Sequence, residues 1–399
     1  MKVGVLDMKI KTLGISGIAR IQDTLSLEFN EGMNIICGVN GTCKTTILDC
    51  VSYLFLRGTN SNVLKKNVNA EIGKCWATCF TTGMRTEYVI KNFEPTKNDY
   101  IQSRIDQTSQ MLYFKTNRNF NYSMLPAIPR DAERNNFASG DLSVAGIPFS
   151  DVKGWFANRE SFSYRPNALS KEQMSNIETA KKCFSILDSS ISFSQVVPDT
   201  LEIMVNSQQG EIYFEYLSAG YKSCLYILLG IIKEIEFRFK NPRIAVKDFD
   251  GLILIDEVDL HLHPIWQSRI VETLKIIFPH AQIIVTTHSP HIIQSASPNE
   301  VIPLVIDLEG RILVNEVNSN EYGFQGWTVE EILVDVMGMR STKSELLDRT
   351  LKDFEQAING ENDSEAINKY DILQKLLHPS NPLKKVLDIQ MAGVDRGID

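Results

Sequence analysis

Two hydrophobic periods alternate along the chain. In residues 8–37, MKIKTLGI and TLSLEF alternate apolar and polar positions before the apolar MNIIC, which predicts a small sheet feeding a buried strand that ends at Gly38. TTILDCVSYLFL then spaces its apolar residues as a helix does, so a helix is expected from about Lys44. Between 58 and 150, CWATCFTTG, RTEYVIKNF and QMLYFKTNRNFNYSML read as strands separated by Asn, Thr, Gly and Pro turns, and residues 150–190 read as mostly helical. Strands over 200–206 and 211–216 lead to LSAGYKSCLYILLGIIKEIEF, with Ser218 at a turn and a long apolar helix after it. GLILIDE and AQIIVTTHS are continuous buried strands of the parallel type, with the amphipathic helix PIWQSRIVETLKIIF between them. Beyond 300 come a hairpin turning at Glu309-Gly310, then helices over TVEEILVDVMG, KSELLDRTLKDFEQAI and SEAINKYDILQKLL; the stretch after Pro379 is expected to be loosely ordered. Strands alternating with helices imply a parallel α/β core.

The pattern divides the chain into four parts. Residues 1–57 form the first half of the core, 58–199 an inserted strand-rich arm and helical lid, 200–300 the second half of the core, and 301–399 the hairpin and a helical extension. At 399 residues the chain is long enough for two or three compact units. A formal net charge of −8 argues against a wholesale nucleic-acid coat but leaves room for a local basic groove. Lys115, Arg118, Phe120, Tyr122, Arg130, Arg134, Trp155, Arg159 and Tyr164 interleave basic and aromatic residues as such a groove would, making nucleic acid a candidate partner. Solvated strand faces with buried aromatics would give the same pattern, and Arg118 or Arg130 would equally serve as phosphate partners. The seven cysteines, an odd number set mostly in apolar runs, read as reduced, packed thiols. No apolar run approaches the ~18 residues that span a bilayer, and the N-terminus alternates like a strand rather than a signal peptide. A cytoplasmic protein with no membrane partner is the expectation.

The candidate chemistry begins at the end of the first buried strand. GVNGTCKTT, Gly38 to Thr46, fits the phosphate-loop pattern G-x-x-x-x-G-K-[ST] except that Cys43 holds the place of the second glycine. Backbone N–H groups and the helix dipole at such a turn point at phosphates, so Gly38, Asn40, Gly41, Cys43, Lys44, Thr45 and Thr46 are the candidate nucleotide-binding residues. Lys44 would reach the β/γ-phosphates and the Thr45 hydroxyl would ligate Mg²⁺. Asp256 and Glu257 close the strand LILI, at the end where ligands bind in open α/β sheets. Asp256 would hold Mg²⁺ and Glu257 would orient and deprotonate an attacking water, although charges at a helix start would look alike. His288 ends the next buried strand, 32 residues after Asp256, which puts it on a neighbouring strand at the same sheet edge. A structural histidine there is the alternative.

LSAGYKS resembles the LSGGQ signature of ABC-type ATPases, and the order of phosphate loop, long insertion, signature, acidic pair and histidine is theirs. DEVDLHLHP and TTHSPHII look very like a bacterial branch of that family that includes the overcoming-lysogenization-defect nucleases, Septu-type PtuA, the PARIS ATPase and retron-associated ATPases. The resemblance covers residues 8–57 and 200–296, and YGFQGWTVEEILVDVMG looks like the helical extension of stand-alone members. It implies an ABC-type P-loop NTPase head with an inserted mixed α/β arm and a small helical C-terminal extension, with ATP and Mg²⁺ as cofactors. It also implies a head-to-tail homodimer, or a higher oligomer, with ATP at the interface. Lys44 and Thr45 of one subunit would hold the phosphates, while Ser218 and Gly220 of the other contact the γ-phosphate. Asp256 would serve Mg²⁺, Glu257 would be the base, and His288 would sense the γ-phosphate. Leu262-His263-Pro264 would lie near the interface, and the family's Q-loop has no assigned position.

Ala219 in place of a signature glycine is a mild departure. Cys43 is a larger one: a side chain at a positive-φ position costs on the order of 1–3 kcal/mol, which would slow turnover without abolishing binding. A thiol at a helix N-terminus also has reason to be acidic and oxidation-prone. No Toprim-like carboxylate cluster or H-N-H motif follows His288, so a nuclease or toxin effector, such as an H-N-H or Toprim protein, is expected in trans. Two alternatives stay open: an ATP-binding scaffold with little turnover, and a DNA-repair ATPase of the RecF/SMC sort, which long heptad repeats would favour.

Overall fold

A computed structural model describes residues 8–392, apart from 81–82, 84, 103–107, 119–123, 133 and 318. It divides into two compact units, residues 1–339 and 340–399.

The first unit opens with β1 (Ile10–Ser16), β2 (Leu25–Glu28) and β3 (Met33–Gly38), followed by α1 (Lys44–Phe55). Next come β4 (Arg57–Ser61), β5 (Gly73–Cys79), β6 (Arg85–Ile90), β7 (Asp99–Gln102), β8 (Met111–Phe114) and α2 (Asn136–Ala145). Helices α3 (Val152–Ser163) and α4 (Lys171–Leu187) precede β9 (Ser192–Val196), β10 (Ile203–Ser207), β11 (Gly210–Tyr213) and the long α5 (Ala219–Arg238). The second half runs β12 (Leu252–Ile255), α6 (Pro264–Ile277), β13 (Gln282–Thr287), α7 (Pro290–Ser295), β14 (Val301–Ile306) and β15 (Ile312–Val314). A last turn of helix, α8 (Val329–Glu331), continues as the π-helix Ile332–Val336.

A six-stranded sheet in the order β15-β14-β3-β13-β12-β8 is the frame of this unit, parallel except for the β14–β15 hairpin. Its apolar runs are buried on both faces because successive side chains point opposite ways. Ile35, Leu112, Phe114, Ile253, Ile255, Ile283 and Val285 pack toward α3, α4, α5 and α6. Their neighbours Ile36, Met111, Tyr113, Leu252, Leu254 and Ile284 pack on the other side, against α1 and the antiparallel sheet β2-β1-β5-β6.

This topology changes the reading of residues 58–150. Strands β5 and β6 extend the antiparallel sheet of β1, and β8 pairs in parallel with β12, Ile255 opposite Phe114. The stretch expected to stand out as an arm therefore builds an edge of the core, because MLYF is apolar on both faces and has no place in solvent.

Helix α5 is less apolar than its sequence suggested: Lys233, Glu234, Glu236 and Arg238 are all buried on it. They are neutralised in place. Glu234 takes Arg134 at 3.1 Å and Arg238 at 3.3 Å, Lys233 pairs with Asp151, and Arg159 lies 2.6 Å from Glu236. Burial alone would raise the Glu234 carboxyl, yet Lys233, Arg238 and Arg134 hold it below the usual carboxylate range, whereas burial wins at Glu236 and pushes it up.

In the second unit, α9 (Glu345–Asn359), α10 (Asp363–Leu376) and α11 (Leu383–Met391) pack around Phe354, Ala366, Leu373, Leu387 and Met391. Within the stretch after Pro379, Leu383–Met391 is thus a helix, since Leu387 and Met391 supply an apolar stripe that this small core buries. No helix among the described residues is long and apolar enough to cross a membrane.

Candidate nucleotide site

Parallel registration brings four chain segments to one sheet end. Thr287 lies opposite Cys37, and Ile255 opposite both Val285 and Phe114. The segments leaving β3, β13, β12 and β8 therefore emerge side by side: the phosphate loop, His288, the pair Asp256-Glu257 and residues 115–118.

The loop is held in shape by its own residues. Gly38 has φ +146, and a Cβ there would stand 2.3 Å from the Leu304 carbonyl of β14, so glycine is required. Thr42 Oγ1 donates to the Val39 carbonyl at 2.9 Å. Lys44 is curled inward, its Nζ 2.9 Å from the carbonyl oxygens of Gly38 and Val39. Burial pushes its ammonium down to about 8 although Cys37, Asp256, Glu257 and Asp259 pull the other way. Asn40 and Gly41 face outward at the loop tip, and Thr46 lies in the first turn of α1.

Cys43, the N-cap of α1, adopts φ 61 and ψ 28, the left-handed conformation that the missing glycine would have taken freely. The thiol is not acidic. Burial raises it above its ordinary value, outweighing the Arg20 N–H, the Thr46 side chain and the charges of Arg20 and Lys44. The reading of Cys43 as a tolerated small residue needs no acidic thiol, and the alternative of a redox switch gains no support from one.

Across the sheet, Thr45 Oγ1 lies 2.9 and 3.1 Å from the two carboxylate oxygens of Asp256, which is buried. Thr286 Oγ1 donates to Asp256 Oδ1 at 2.7 Å and accepts the Glu257 N–H at 2.7 Å. Glu257 itself has φ 46. Thr287 Oγ1 and the His288 N–H both donate to Asp259 Oδ1, at 2.7 and 3.3 Å. His288 is half-buried, and burial, reinforced by Lys44, lowers its pKa, so the ring is neutral at pH 7. Hard oxygen donors from Thr45 and Asp256, adjacent and preorganised, fit a small divalent cation.

Ser218 caps α5, accepting the Tyr221 N–H at 3.3 Å, and it is exposed together with Ala219. Gly220 is buried: a Cβ there would lie 2.8 Å from the Trp266 ring and 3.2 Å from the His263 N–H, so small size lets α5 meet the start of α6. His263 and Pro264 are exposed and Leu262 is buried.

Among the described residues, several of those named for a nucleic-acid groove are committed to partners within the fold. Lys115 pairs with Asp49 at 2.9 Å, Arg159 with Asp131 and Glu236 at 2.6 Å, and Trp155 Nε1 donates to Glu236 at 3.1 Å. Arg134 belongs to the Glu234 network, Arg130 and Tyr164 are exposed, and Phe120 and Tyr122 lie outside the described residues. Arg118 turns inward to the acidic pair. Three residues near the site escaped sequence reasoning: Thr286, Asp259 and Arg20, whose guanidinium would stand 3.0 Å from a Cβ at Gly41. A cavity of about 740 Å³ beside β11, lined by Met124, Leu125, Tyr213 and Tyr216 among others, includes none of the phosphate-loop or acidic-pair residues.

Residues 86–294 match the family described as "AAA domain, putative AbiEii toxin, Type IV TA system", and residues 12–135 match a second AAA-domain family. The chain is 45% identical over 395 residues to the Septu protein PtuA of Bacillus thuringiensis, covering 98% of this chain and 99% of that one. The chain belongs to the PtuA family of anti-phage AAA ATPases. A Septu protein PtuA of Bacillus mycoides is 25% identical over 83% of this chain, which spans only 44% of that relative's length. The retron Vc95 probable ATPase of Vibrio cholerae is 32% identical over 123 residues, 31% of this chain and 24% of that relative. The SMC head domain from Thermotoga maritima superposes with a TM-score of 0.40 at 16% identity, over 78% of this chain and 100% of that domain. A likeness that partial carries no argument; the ABC-type α/β fold is read from the strand order and the loop itself.

Proposed function

We propose that the chain is an ATP-hydrolysing switch whose heads close in pairs around Mg·ATP and whose state is read by an effector nuclease or toxin supplied in trans in the cytoplasm. The observation that carries this is the meeting of Thr45 with both oxygens of Asp256, beside Lys44, Glu257 and His288, at one sheet end. Lys44 would turn from the loop carbonyls to the β/γ-phosphates, and Thr45 and Asp256 would hold Mg²⁺, which would neutralise phosphate charge. Glu257 takes a proton from water as that water's oxygen attacks the γ-phosphorus and the bond to ADP breaks. Neutral His288 donates to or accepts from the terminal phosphate region according to its tautomer. The exposed Ser218-Ala219 turn at the N-terminus of α5 offers N–H groups outward, which suits phosphates bound by a second copy.

Glu257→Gln tests this. Phosphate release should be abolished while ATP binding persists and ATP-dependent dimers, measured by light scattering, accumulate. If wild-type protein assembles with ATP but releases no phosphate, the scaffold reading replaces this one.

A further inference from the structure

Arg118 leaves β8 through a turn in which its N–H bonds the Thr116 carbonyl at 2.8 Å. Its side chain is then 6% exposed. One arm, Nη2, donates to the backbone carbonyl of Asp256. The other two groups, Nε and Nη1, are buried with no hydrogen-bond partner. Among the described residues no carboxylate lies within ion-pair distance, although Asp256, Asp259 and Glu257 are near enough to act on its charge.

A guanidinium placed only to staple the fold would spend its donors on carboxylates or carbonyls, as Arg134 and Arg159 do. Leaving Nε and Nη1 buried and idle carries the desolvation cost of unmet donors, and such groups point to a ligand that completes them. The carbonyl that Arg118 does hold belongs to the Asp256–Glu257 peptide. The N–H of that same peptide is held by Thr286 Oγ1 at 2.7 Å. Glu257 thus keeps its left-handed φ of 46 because its peptide is gripped at both ends.

We propose that Arg118 is a further residue of the ATPase site: it positions Glu257 through the Asp256 carbonyl and presents Nε and Nη1 to the terminal phosphate. This rests on the reading of the site as an ATPase. A planar, always-charged fork can grip the carbonyl and a phosphate oxygen at once, which an ammonium cannot.

The test compares wild type, Arg118→Lys and Arg118→Ala in full-length protein. Thermal unfolding, affinity for Mg·ADP, affinity for Mg·ADP–aluminium fluoride, and kcat and KM are measured for each. Arg118→Lys should keep its unfolding midpoint and bind Mg·ADP within about threefold of wild type, while kcat and aluminium fluoride affinity fall about a hundredfold. Millimolar guanidinium should restore part of the turnover of Arg118→Ala. Wild-type kcat in Arg118→Lys, or equal losses for ADP and ADP–aluminium fluoride, would overturn the proposal. If both variants unfold early, guanidinium rescue decides: no rescue overturns it. If wild type itself releases no phosphate, the ATPase reading fails separately. The binding arm then decides for Arg118, and unchanged aluminium fluoride affinity overturns its role.

Discussion

Replacing Cys43 by glycine separates strain that is stored in folding from strain that is incurred on binding. In the folded chain Cys43 has φ 61 and ψ 28. A side chain in that region costs about 1–2 kcal/mol, so Cys43→Gly recovers that much in the folded state. Against it stand about 0.5–1 kcal/mol for the greater freedom of glycine in the unfolded chain and a similar loss of contact, because the half-buried thiol packs beside the second core cluster. The net change in stability is within about 1 kcal/mol, a midpoint shift of about 2–4 °C or less. A loop that keeps this conformation with and without nucleotide cancels the strain from the binding equilibrium, and the ATP dissociation constant should then stay within about threefold, 0.7 kcal/mol. Strain incurred only on binding would instead give a tightening of about 5–30-fold on restoring glycine. Calorimetric titration with Mg·ATP, run beside thermal unfolding, reads both quantities. Cys43→Val is the internal control: a β-branched residue at positive φ is a true outlier, so it should unfold several degrees earlier. A tenfold or greater gain in affinity for Cys43→Gly, with no gain for the folded state, would refute the reasoning.

Lys44 makes ATP binding pH-dependent. Its ammonium is lowered to about 8 in the free chain from an ordinary value of 10.5, so phosphate binding above pH 8 must recruit a proton. Affinity should fall with rising pH between about 8 and 10.5, by up to about tenfold per unit. Binding heats at pH 9 should vary with the ionisation enthalpy of the buffer, and those at pH 7 should not. The sign for folding is opposite: with the folded pKa below the unfolded one, this group alone favours the folded state as pH rises through that window. Thr286→Val keeps shape but strands the Glu257 N–H and removes a donor from Asp256, so urea denaturation should show a loss of about 1–3 kcal/mol. Weaker Mg²⁺ dependence of ATP affinity should accompany it, and an unchanged denaturation curve would refute the role given to Thr286.

The core was legible where local pattern and burial agree. LILI and QIIVTT read as parallel strands because both of their faces are apolar, and Gly310, with φ +80, marks the hairpin turn between β14 and β15. TVEEILVDVMG read as a plain helix, yet only Val329–Glu331 is α and the next five residues wind as a π-helix. Ile332, Val336 and Met337 all reach the first core cluster, and tertiary packing of this kind overrides the 3.6-residue period. Helix α5 read as simply apolar: the partners of its buried charges, Arg134, Asp151 and Arg159, lie some eighty to one hundred positions upstream, beyond any local pattern.

The site divides on the same line. Lys44, Thr45, Asp256, Glu257 and His288 sit in short motifs whose spacing carries their chemistry, so they could be named before the fold was known. Arg118 could be named only as a groove residue or one of two candidate phosphate partners, and Thr286 not at all, because what they do depends on strand order. Thr286 is the penultimate residue of β13 and Arg118 follows β8, the two strands flanking β12. Only that arrangement lets one side chain grip the N–H and the other the carbonyl of the peptide that carries Glu257. A glutamate at φ 46 is a conformation that its own residue type disfavours by about 1–2 kcal/mol, so it persists only if its surroundings impose it. The consequence reaches back to residues 58–150. Whatever else that stretch does, its strand β8 is where one of the two grips on the proposed base originates. A change in it that shifted β8 along β12 would alter turnover without touching any motif residue.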